Sequence, residues 1–372
     1  MSRPTCSRRA FIRSAGIALA GGTLRLSAAD APKVPTVREA LAAEAAGAPL
    51  AMKFAGGSAD DCRRWQAAFA DKLRQLLGPH APPRKWTTIS RTVADHSDHR
   101  REDLVLTAPG HPPLPVYLLL PRPIAKTRVP GIVALHGHGP FGHHAVAGRD
   151  DLPGVAKEIA SANYDYGRQL ARRGYAVAVP CLTPFGERLS GSAAPDTSDA
   201  CADTFIRMQV LGKLLIAENL RDCLWAVELL ATHAAVDAAR LGCVGLSYGG
   251  RMAMLTAAIE PRVKVAVVSG ALNVFQERIG KPYGCGAQIV PGLLKYGDVP
   301  EIGSLIAPRP CLWEVGMRDG LISQKWADEA LTRMTKAYGA LAAENRLQVD
   351  RFDGGHRWNG AVAYPLLDRV LK

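Results

Sequence analysis

The chain has 372 residues, of which 48% are hydrophobic and 22% charged, a composition typical of a globular protein long enough to bury a large core. Its formal net charge is +12 at pH 7, but residues 1–29 contain five arginines and no acidic residue. The other basic residues are scattered and are not interleaved with stacking aromatic residues, which argues against a nucleic-acid-binding surface.

Residues 1–29 resemble a twin-arginine export signal. Arg8 and Arg9 precede a mildly apolar stretch over residues 15–24, and small residues at 27–29 fit the needs of a signal peptidase. The stretch is shorter than the ~20 residues of a membrane span, and no later segment is long and apolar enough to cross a bilayer. We therefore expect a periplasmic or secreted protein without stable membrane insertion after signal removal. A basic, unstructured tail is the alternative.

The rest of the chain divides by its hydrophobic periodicity. Apolar residues recur at helical spacing over 37–46 and 60–77, so residues 30–85 are predicted to form an N-terminal helical segment. Residues 86–372 are predicted to form one α/β domain. It begins with period-two stretches typical of antiparallel strands, at residues 88–94, 102–107 and 114–120.

From residue 131 onward, predicted strands and helices alternate. The strands lie at residues 131–135, 176–180, 241–246, 263–268, 310–315 and 348–352. The helices lie at residues 160–173, 202–233, 248–259, 324–338 and 358–372. Such alternation is typical of a mostly parallel sheet with helices on both faces. The Gly- and Pro-rich segment 271–303 is predicted to be a long loop over the top of the sheet, near the site.

The stretch 244–250 gives the strongest chemical signal. It lies between a predicted strand and a predicted helix, the context in which Gly-x-Ser-x-Gly forms a nucleophile elbow. Gly245 and Gly249 flank Ser247, and only residues without a Cβ fit at those positions of so tight a turn. Ser247 is therefore the candidate nucleophile.

A serine hydroxyl needs a base that accepts its proton and an acid that orients the base. After this type of elbow, the acid and then the histidine follow in the chain. His356 is the single histidine downstream of Ser247 and is the candidate base. Asp319, in a Gly-x-x-Asp turn after the strand at 310–315, is the candidate acid. Glu314 and Asp353 are the alternatives.

The tetrahedral intermediate of acyl transfer needs N–H donors for its oxyanion. We expect one donor from the backbone of Tyr248, at the start of the elbow helix. The other is expected from His138, in the His-Gly-His-Gly loop that follows the strand at 131–135. Gly137 and Gly139 would let this loop approach the serine closely.

Histidines and cysteines raise the question of a metal. His136, His138, His143 and His144 could bind zinc, but no carboxylate lies with them at a recognisable spacing, so we expect no metal and no other cofactor. The seven cysteines after the signal include no Cys-x-x-Cys pair, which argues against a zinc knuckle or a thioredoxin-type site. One disulfide would suit an exported protein, and Cys181 with Cys201 is the pair to test first.

Taken together, these motifs resemble the dienelactone-hydrolase-like branch of the α/β-hydrolases, which also contains acetyl xylan esterase-like enzymes. The segments that carry the resemblance are His136-Gly137-His138-Gly139, Pro184-Phe185-Gly186-Glu187-Arg188, Gly245-Leu246-Ser247-Tyr248-Gly249-Gly250, Ile306-Ala307-Pro308-Arg309-Pro310, Gly316-Met317-Arg318-Asp319 and Gly354-Gly355-His356. The resemblance implies an α/β-hydrolase fold. It also implies the serine, aspartate and histidine roles given above, and an oxyanion hole built from His138 and Tyr248.

The chain departs from that branch in two places. Dienelactone hydrolase itself uses a cysteine nucleophile, and the serine here favours a carboxylesterase. Relatives often have an acidic residue after the strand at 176–180, where this chain has Cys181-Leu182-Thr183.

Three further residues are candidates for contact with substrate. Glu187 and Arg188 follow the strand at 176–180 and could bind a polar, sugar-like group, with a salt bridge inside the loop as the alternative. Trp358 could line the substrate pocket, with packing in the core as the alternative.

We expect an exported serine carboxylesterase that forms an acyl-enzyme and acts on a small-molecule or polysaccharide ester. Short-acyl esters such as acetyl xylan are suggested by family analogy rather than by a residue. Three alternatives stay open: a lactone hydrolase of the dienelactone type, a peptidase of the prolyl oligopeptidase type, and a non-catalytic binding protein on the same fold. The lack of a propeller-length N-terminal domain disfavours the peptidase.

Overall fold

The computed structural model describes residues 34–123, 127–189, 200–281 and 284–372. The export signal predicted over residues 1–29 lies outside the described residues. The helices are α1 (Val37–Ala46), α2 (Ala59–Leu77), α3 (His143–Val146), α4 (Val155–Ala162), α5 (Tyr166–Arg172), α6 (Ala200–Val210), α7 (Leu215–Thr232), α8 (Tyr248–Ile259), α9 (Phe275–Arg278), α10 (Val299–Ser304), α11 (Gln324–Ala340) and α12 (Ala363–Leu371).

The described strands form one sheet in the order β1-β2-β3-β5-β4-β6-β7-β8-β9. They are β1 (Thr87–Asp95), β2 (His99–Ala108), β3 (His111–Pro121), β4 (Val129–Leu135), β5 (Ala176–Pro180), β6 (Val236–Leu246), β7 (Val263–Ser269), β8 (Cys311–Gly316) and β9 (Leu347–Phe352). β1, β2, β3 and β5 pair antiparallel in turn, and every pair from β5 to β9 is parallel. The predicted mostly parallel sheet with an antiparallel start is confirmed.

Both faces of the sheet are buried under helices. Alternate residues of one strand point to opposite faces. Ala178 belongs to a buried apolar cluster with residues of α2, α7, α8, α10 and α11, whereas Val177 belongs to a second cluster with residues of α3, α4, α5 and α12. This two-sided burial explains why the parallel strands read as nearly continuous apolar runs in the sequence. Among the described residues, no helix combines the length and the apolarity that crossing a bilayer requires.

Helix α2 attaches the N-terminal part to the sheet through one apolar face. Phe69, Leu73 and Leu77, four residues apart, are each at most 1% exposed. Ser58 caps the helix by accepting a hydrogen bond of 3.1 Å from the Asp61 N–H, while the Asp61 carboxylate accepts one of 3.3 Å from the Ser58 N–H. The cap fixes where the helix begins, and the buried face fixes how it docks.

Two long predicted helices are each broken into two. The helix predicted over 160–173 is split because Asn163 takes a left-handed conformation, with φ 52°, between α4 and α5. The helix predicted over 202–233 is split at Gly212, with φ 66°, between α6 and α7. Apolar residues recur on both sides of each break, so periodicity alone does not reveal it.

Two other predictions near the site are corrected. The helix predicted over 358–372 begins only at Ala363, because Gly360 has φ 77° and cannot continue a right-handed helix. The segment predicted as a loop over 271–303 contains α9, α10 and the 3₁₀ turns Gly286–Gln288 and Leu293–Lys295.

Removal of the Phe69 ring should destabilise the protein. Phe69→Ala leaves a cavity beneath α2, so we expect the free energy of unfolding to fall by about 3–5 kcal/mol in urea denaturation. The matched control is Leu41→Ala on α1, where the leucine is 46% exposed and a change within about 0.5 kcal/mol is expected. Equal effects of the two substitutions would contradict the packing role of Phe69.

Candidate active site

The turn from β6 into α8 holds Ser247 at a positive φ, with φ 62° and ψ −122°, a backbone conformation that residues with a side chain rarely adopt. The Ser247 N–H donates to the Ser269 carbonyl at 2.8 Å. A Cβ at Gly245 would lie 2.2 Å from the Gly249 carbonyl oxygen, and one at Gly249 would lie 1.9 Å from the Leu135 carbonyl oxygen. A side chain at either position would collide with backbone atoms, so both positions require glycine. This is the steric reason for which the motif has glycine there.

Asp319 and His356 are in direct contact. Nδ1 of His356 lies 2.7 Å from Oδ2 of Asp319, whose side chain is 1% exposed. The other carboxylate oxygen accepts a hydrogen bond of 2.9 Å from the Leu321 N–H. An ionised carboxylate can only accept, so Nδ1 carries the proton and Nε2 is left as the acceptor that a general base needs.

Ser247 and His356 line the same cavity, which has a volume of about 320 Å³. His138, Tyr164 and Leu321 also line it. Within the described residues no hydrogen bond joins the Ser247 hydroxyl to the His356 ring. The structure therefore forms the aspartate–histidine contact and places the serine and the histidine in one cavity without a hydrogen bond between them.

The segments that bear the two predicted oxyanion donors meet beside the serine. Tyr248 is the first residue of α8, so its N–H has no acceptor within the helix. His138 lies on the loop after β4 and lines the cavity with Ser247. A Cβ at Gly137 would lie 2.9 Å from the Ser247 Cβ and 2.5 Å from the Tyr164 hydroxyl. Only glycine at this position therefore allows the loop to lie so close to Ser247.

Sequence analysis did not single out Arg251, which lines a smaller cavity of about 100 Å³ together with Ser247. Arg251 is 3% exposed and donates to the Asn273 carbonyl at 2.9 Å and to Gln288 Oε1 at 3.2 Å. Its Nη1 has no partner among the described residues. Burial lowers the pKa of Arg251 to about 10, so it stays charged at neutral pH and can hold an oxygen of a ligand. The sequence signal that could have identified Arg251 is its position, one helical turn after Ser247.

The three candidate acids have different surroundings. Glu314 is fully buried, and its carboxylate accepts from the Gly360 N–H at 2.7 Å and the Asn359 N–H at 3.3 Å. Asp353 is 84% exposed and pairs with an arginine at the surface. Of the three, the structure brings Asp319 into contact with His356.

Glu187 and Arg188 are engaged in ion pairs within the fold. Glu187 pairs with Arg91 at 2.6 Å and lies 3.1 Å from Nε2 of His143. Arg188 pairs with the fully buried Asp222 at 2.5 Å. Neither residue lines the two cavities that contain Ser247. Both residues are therefore salt-bridge partners, but with residues of other elements rather than inside their own loop.

Trp358 takes its alternative role. It is fully buried, its ring stacks on Tyr166 with 4.7 Å between ring centroids, and its indole N–H donates to the Tyr364 hydroxyl at 3.0 Å. It therefore packs in the core below the site and does not line the described cavities that contain Ser247.

The four histidines of the zinc hypothesis do not form one cluster, because His143 and His144 lie together with Glu187 whereas His138 lies with Cys201 and Cys285. His136 is fully buried and accepts from the Leu182 N–H at 2.9 Å, and burial lowers its pKa to about 3. Side-chain donors of His143, His144 and Glu187 lie within 4.8 Å of one another. Burial alone would lower the pKa of His143, but Cys181 and Glu187 together raise it to about 9.

The cysteines group differently from the expectation. None of the seven described cysteines forms a disulfide. Cys181 donates to the Phe185 carbonyl at 3.1 Å, whereas the Cys201 sulfur lies within 4.8 Å of Cys285 and His138. The neighbour of Cys201 is therefore Cys285, a pair that no spacing in the sequence indicates.

The order of the site residues along the sheet defines the class of the protein. The elbow serine follows β6, the aspartate follows β8, and the histidine follows β9. A mostly parallel sheet with a strand–turn–helix serine, and with the acid and histidine later in this order, is the α/β-hydrolase fold. The chain is an α/β-hydrolase, as its motifs predict.

Comparison with known proteins supports this assignment of the fold. Residues 150–276 match the Dienelactone hydrolase family, and a Bacillus subtilis (strain 168) protein provisionally named hydrolase YtaP is 28% identical over 296 residues, covering 77% of this chain and 92% of its own length. A provisionally named acetyl xylan esterase from Bacteroides fragilis NCTC 9343 has a similar structure, with a TM-score of 0.75 and 16% identity over 91% of this chain and 96% of that one. A CE15 glucuronoyl esterase from Teredinibacter turnerae T7901 has a TM-score of 0.60 and 19% identity, covering 92% and 93%. The resemblance to the dienelactone-hydrolase-like branch is confirmed, and the chain is an enzyme of the hydrolase class.

The buried Glu314 should make stability depend on pH. Burial raises its pKa from 4.5 to about 7, so the folded protein holds this proton more tightly than the unfolded chain does. The free energy of unfolding therefore falls as pH rises from about 4.5 through about 7. Between pH 5 and pH 8 we expect wild type to lose about 2–3 kcal/mol more than Glu314→Gln does in chemical denaturation. Glu329→Gln, at an exposed carboxylate of α11, is the control, and identical pH profiles for wild type and Glu314→Gln would refute the effect.

Proposed function

We propose that the protein is a serine carboxylesterase. The observation that carries the proposal is the contact of 2.7 Å between Asp319 and His356 at the cavity that Ser247 also lines. Ser247 would attack the ester carbonyl while Nε2 of His356 accepts its proton. Asp319 would stabilise the imidazolium that forms.

The acyl-enzyme would form and break down with the same groups. N–H groups of Tyr248 and His138 would donate to the oxyanion of each tetrahedral intermediate, where such donors are worth several kcal/mol in the barrier. His356 would then give its proton to the leaving alcohol and activate the water that hydrolyses the acyl-enzyme. These steps need no cofactor.

For the substrate, we propose a short-acyl ester of a carbohydrate. The structurally similar proteins named above include a provisionally named acetyl xylan esterase and a glucuronoyl esterase, which supports the carbohydrate part by analogy. Ser247 lines a cavity of about 320 Å³ and a second one of about 100 Å³, and we assign the acyl group to the smaller cavity, which has room only for a short chain.

We also propose that residues 1–29 direct export by the twin-arginine route and are then removed. The helical segment 30–85 and the hydrolase domain 86–372 would form the mature periplasmic or secreted enzyme. The support is the Arg8-Arg9 motif with its apolar stretch and small residues. N-terminal sequencing of the protein recovered from the periplasm tests this directly, and an intact Arg8-Arg9 segment there would contradict it.

Replacement of the nucleophile should abolish activity. Ser247→Ala is expected to lower kcat by about 10⁴–10⁶-fold on p-nitrophenyl acyl esters and acetylated xylan. Wild type should be labelled covalently by a fluorophosphonate probe and the variant should not. Ser323→Ala, at the first turn of α11, is the control and should keep both properties. Folded wild type that is neither labelled nor active would favour the binding-protein alternative, and activity confined to a dienelactone or to a prolyl peptide would favour the other two.

The acid is tested separately. Asp319→Asn cannot hold the histidine in the required tautomer, so kcat is expected to fall by about 10⁴-fold with little change in KM. Asp353→Asn changes a carboxylate that is 84% exposed and should leave kcat within a few-fold of wild type. Equal losses in both variants would disprove the assignment of the acid.

A further inference from the structure

Three potential ligand atoms lie close together beside the cavity of about 100 Å³ that Ser247 lines. Nε2 of His138 and the sulfurs of Cys201 and Cys285 all lie within 4.8 Å of one another. They come from the loop after β4, the first turn of α6 and the segment before the 3₁₀ turn Gly286–Gln288. Neither cysteine has a part in the proposed ester hydrolysis. We propose that Cys201 and Cys285 form a reversible disulfide, a modification site at the edge of the active-site cavity.

The backbone around the two cysteines is already close. A Cβ at Gly286 would lie 2.7 Å from the Cys201 carbonyl oxygen and 2.6 Å from the Phe205 Cβ. The missing side chain at Gly286 thus lets the segment after Cys285 rest against α6. The two sulfurs lie within 4.8 Å of each other and must approach to about 2.05 Å for a bond to form.

Cys285 is set apart from the other buried cysteines by its surroundings. Its sulfur lies 2.6 Å from Nε2 of His138, and the hydrogen bonds from Cys201 and His138 outweigh burial and lower its pKa to about 5. By contrast, burial raises the pKa of Cys311 to about 12 and raises that of Cys243 well above its usual value. Cys285 also lines the cavity that contains Ser247, so a small molecule that enters this cavity reaches a thiolate.

The oxidation is a thiol–disulfide exchange with a small-molecule or protein disulfide as the oxidant. The Cys285 thiolate attacks one sulfur of the donor, the S–S bond of the donor breaks, and the first donor thiolate leaves. Cys201 then gives up its proton and attacks the Cys285 sulfur of the mixed disulfide, so that the second donor thiolate leaves. Two cysteine thiols are oxidised and one donor disulfide is reduced to two thiols.

The same donors raise the question of zinc, and the geometry favours the thiol pair. Zinc in a structural site takes four ligands in tetrahedral arrangement, and the described residues bring three together. Ligands at about 2.0 Å for nitrogen and about 2.3 Å for sulfur are separated by roughly 3.5 Å in a tetrahedron. The 2.6 Å between His138 Nε2 and the Cys285 sulfur is shorter than that separation, so zinc would require these two side chains to move apart.

The experiment maps the disulfide in the full chain. The purified protein is incubated with oxidised glutathione or with dithiothreitol, alkylated under denaturing conditions and digested, and the peptides are identified by mass spectrometry. After oxidation we expect a linked Cys201–Cys285 peptide and two fewer alkylated thiols, both reversed by dithiothreitol. Cys201→Ser should instead hold glutathione on Cys285. The control Cys311→Ser should form the same linked peptide as wild type.

A second measurement follows the bond through stability. Because the bond closes a long loop, oxidised wild type should unfold at a higher temperature than reduced wild type, and Cys201→Ser should lose this shift. A linked peptide that joins another pair would overturn the proposal, and so would no linked peptide at all. Tightly bound zinc that protects both thiols until a chelator is added would assign the cluster to a metal instead. None of these outcomes depends on ester hydrolysis.

Discussion

Backbone presses directly against backbone where β6 turns into α8, and the geometry of the whole candidate site depends on that contact. The start of α8 lies against the ends of two neighbouring strands, since a Cβ at Gly249 would meet Leu135 after 1.9 Å and one at Gly250 would meet Ser269 after 2.5 Å. This close packing holds Ser247 in a conformation that costs of order 1–3 kcal/mol. It also brings the loop after β4, with His138, beside the serine. A single constraint thus positions the candidate nucleophile and one side of the oxyanion hole.

The loop that carries His356 is held from two directions. On one side, the Trp358 N–H donates to the Ala162 carbonyl at 3.0 Å, and the Asn163 side chain donates to the Trp358 carbonyl at 3.2 Å. On the other side, Glu314 accepts hydrogen bonds from the backbone just beyond Trp358. These bonds limit the positions of the imidazole, so one hydrogen bond from His356 Nδ1–H to the Asp319 carboxylate is sufficient to orient it.

The sequence allowed correct prediction of features that depend on neighbouring residues. It did not allow prediction of features that depend on contacts between residues far apart in the chain. Parallel strands buried on both faces read as apolar runs, and the elbow glycines have a steric reason that the motif itself states. The helix break at Asn163 and the late start of α12 could not be predicted, because the end of α4 and the residues before Gly360 are used to hold the His356 loop. Cys285 lies 147 residues from His138, so no spacing rule could bring the two together. Glu187 was placed in the correct loop, but its partner Arg91 comes from β1.

The three candidate acids, Glu314, Asp319 and Asp353, show how environment, rather than residue type, assigns a role. The acid of a triad must stay ionised to stabilise the imidazolium. Glu314 meets backbone N–H groups but no ion-pair partner in the described structure, and burial raises its pKa to about 7, which suits a structural hydrogen-bond acceptor better than a counter-charge. Asp353 is solvated and pairs with Arg318 at the surface, where solvent screening leaves little interaction energy. Of the three, Asp319 combines burial with a contact to His356, which gains charge in the proposed reaction, so its carboxylate would stabilise the transition state more strongly than the ground state.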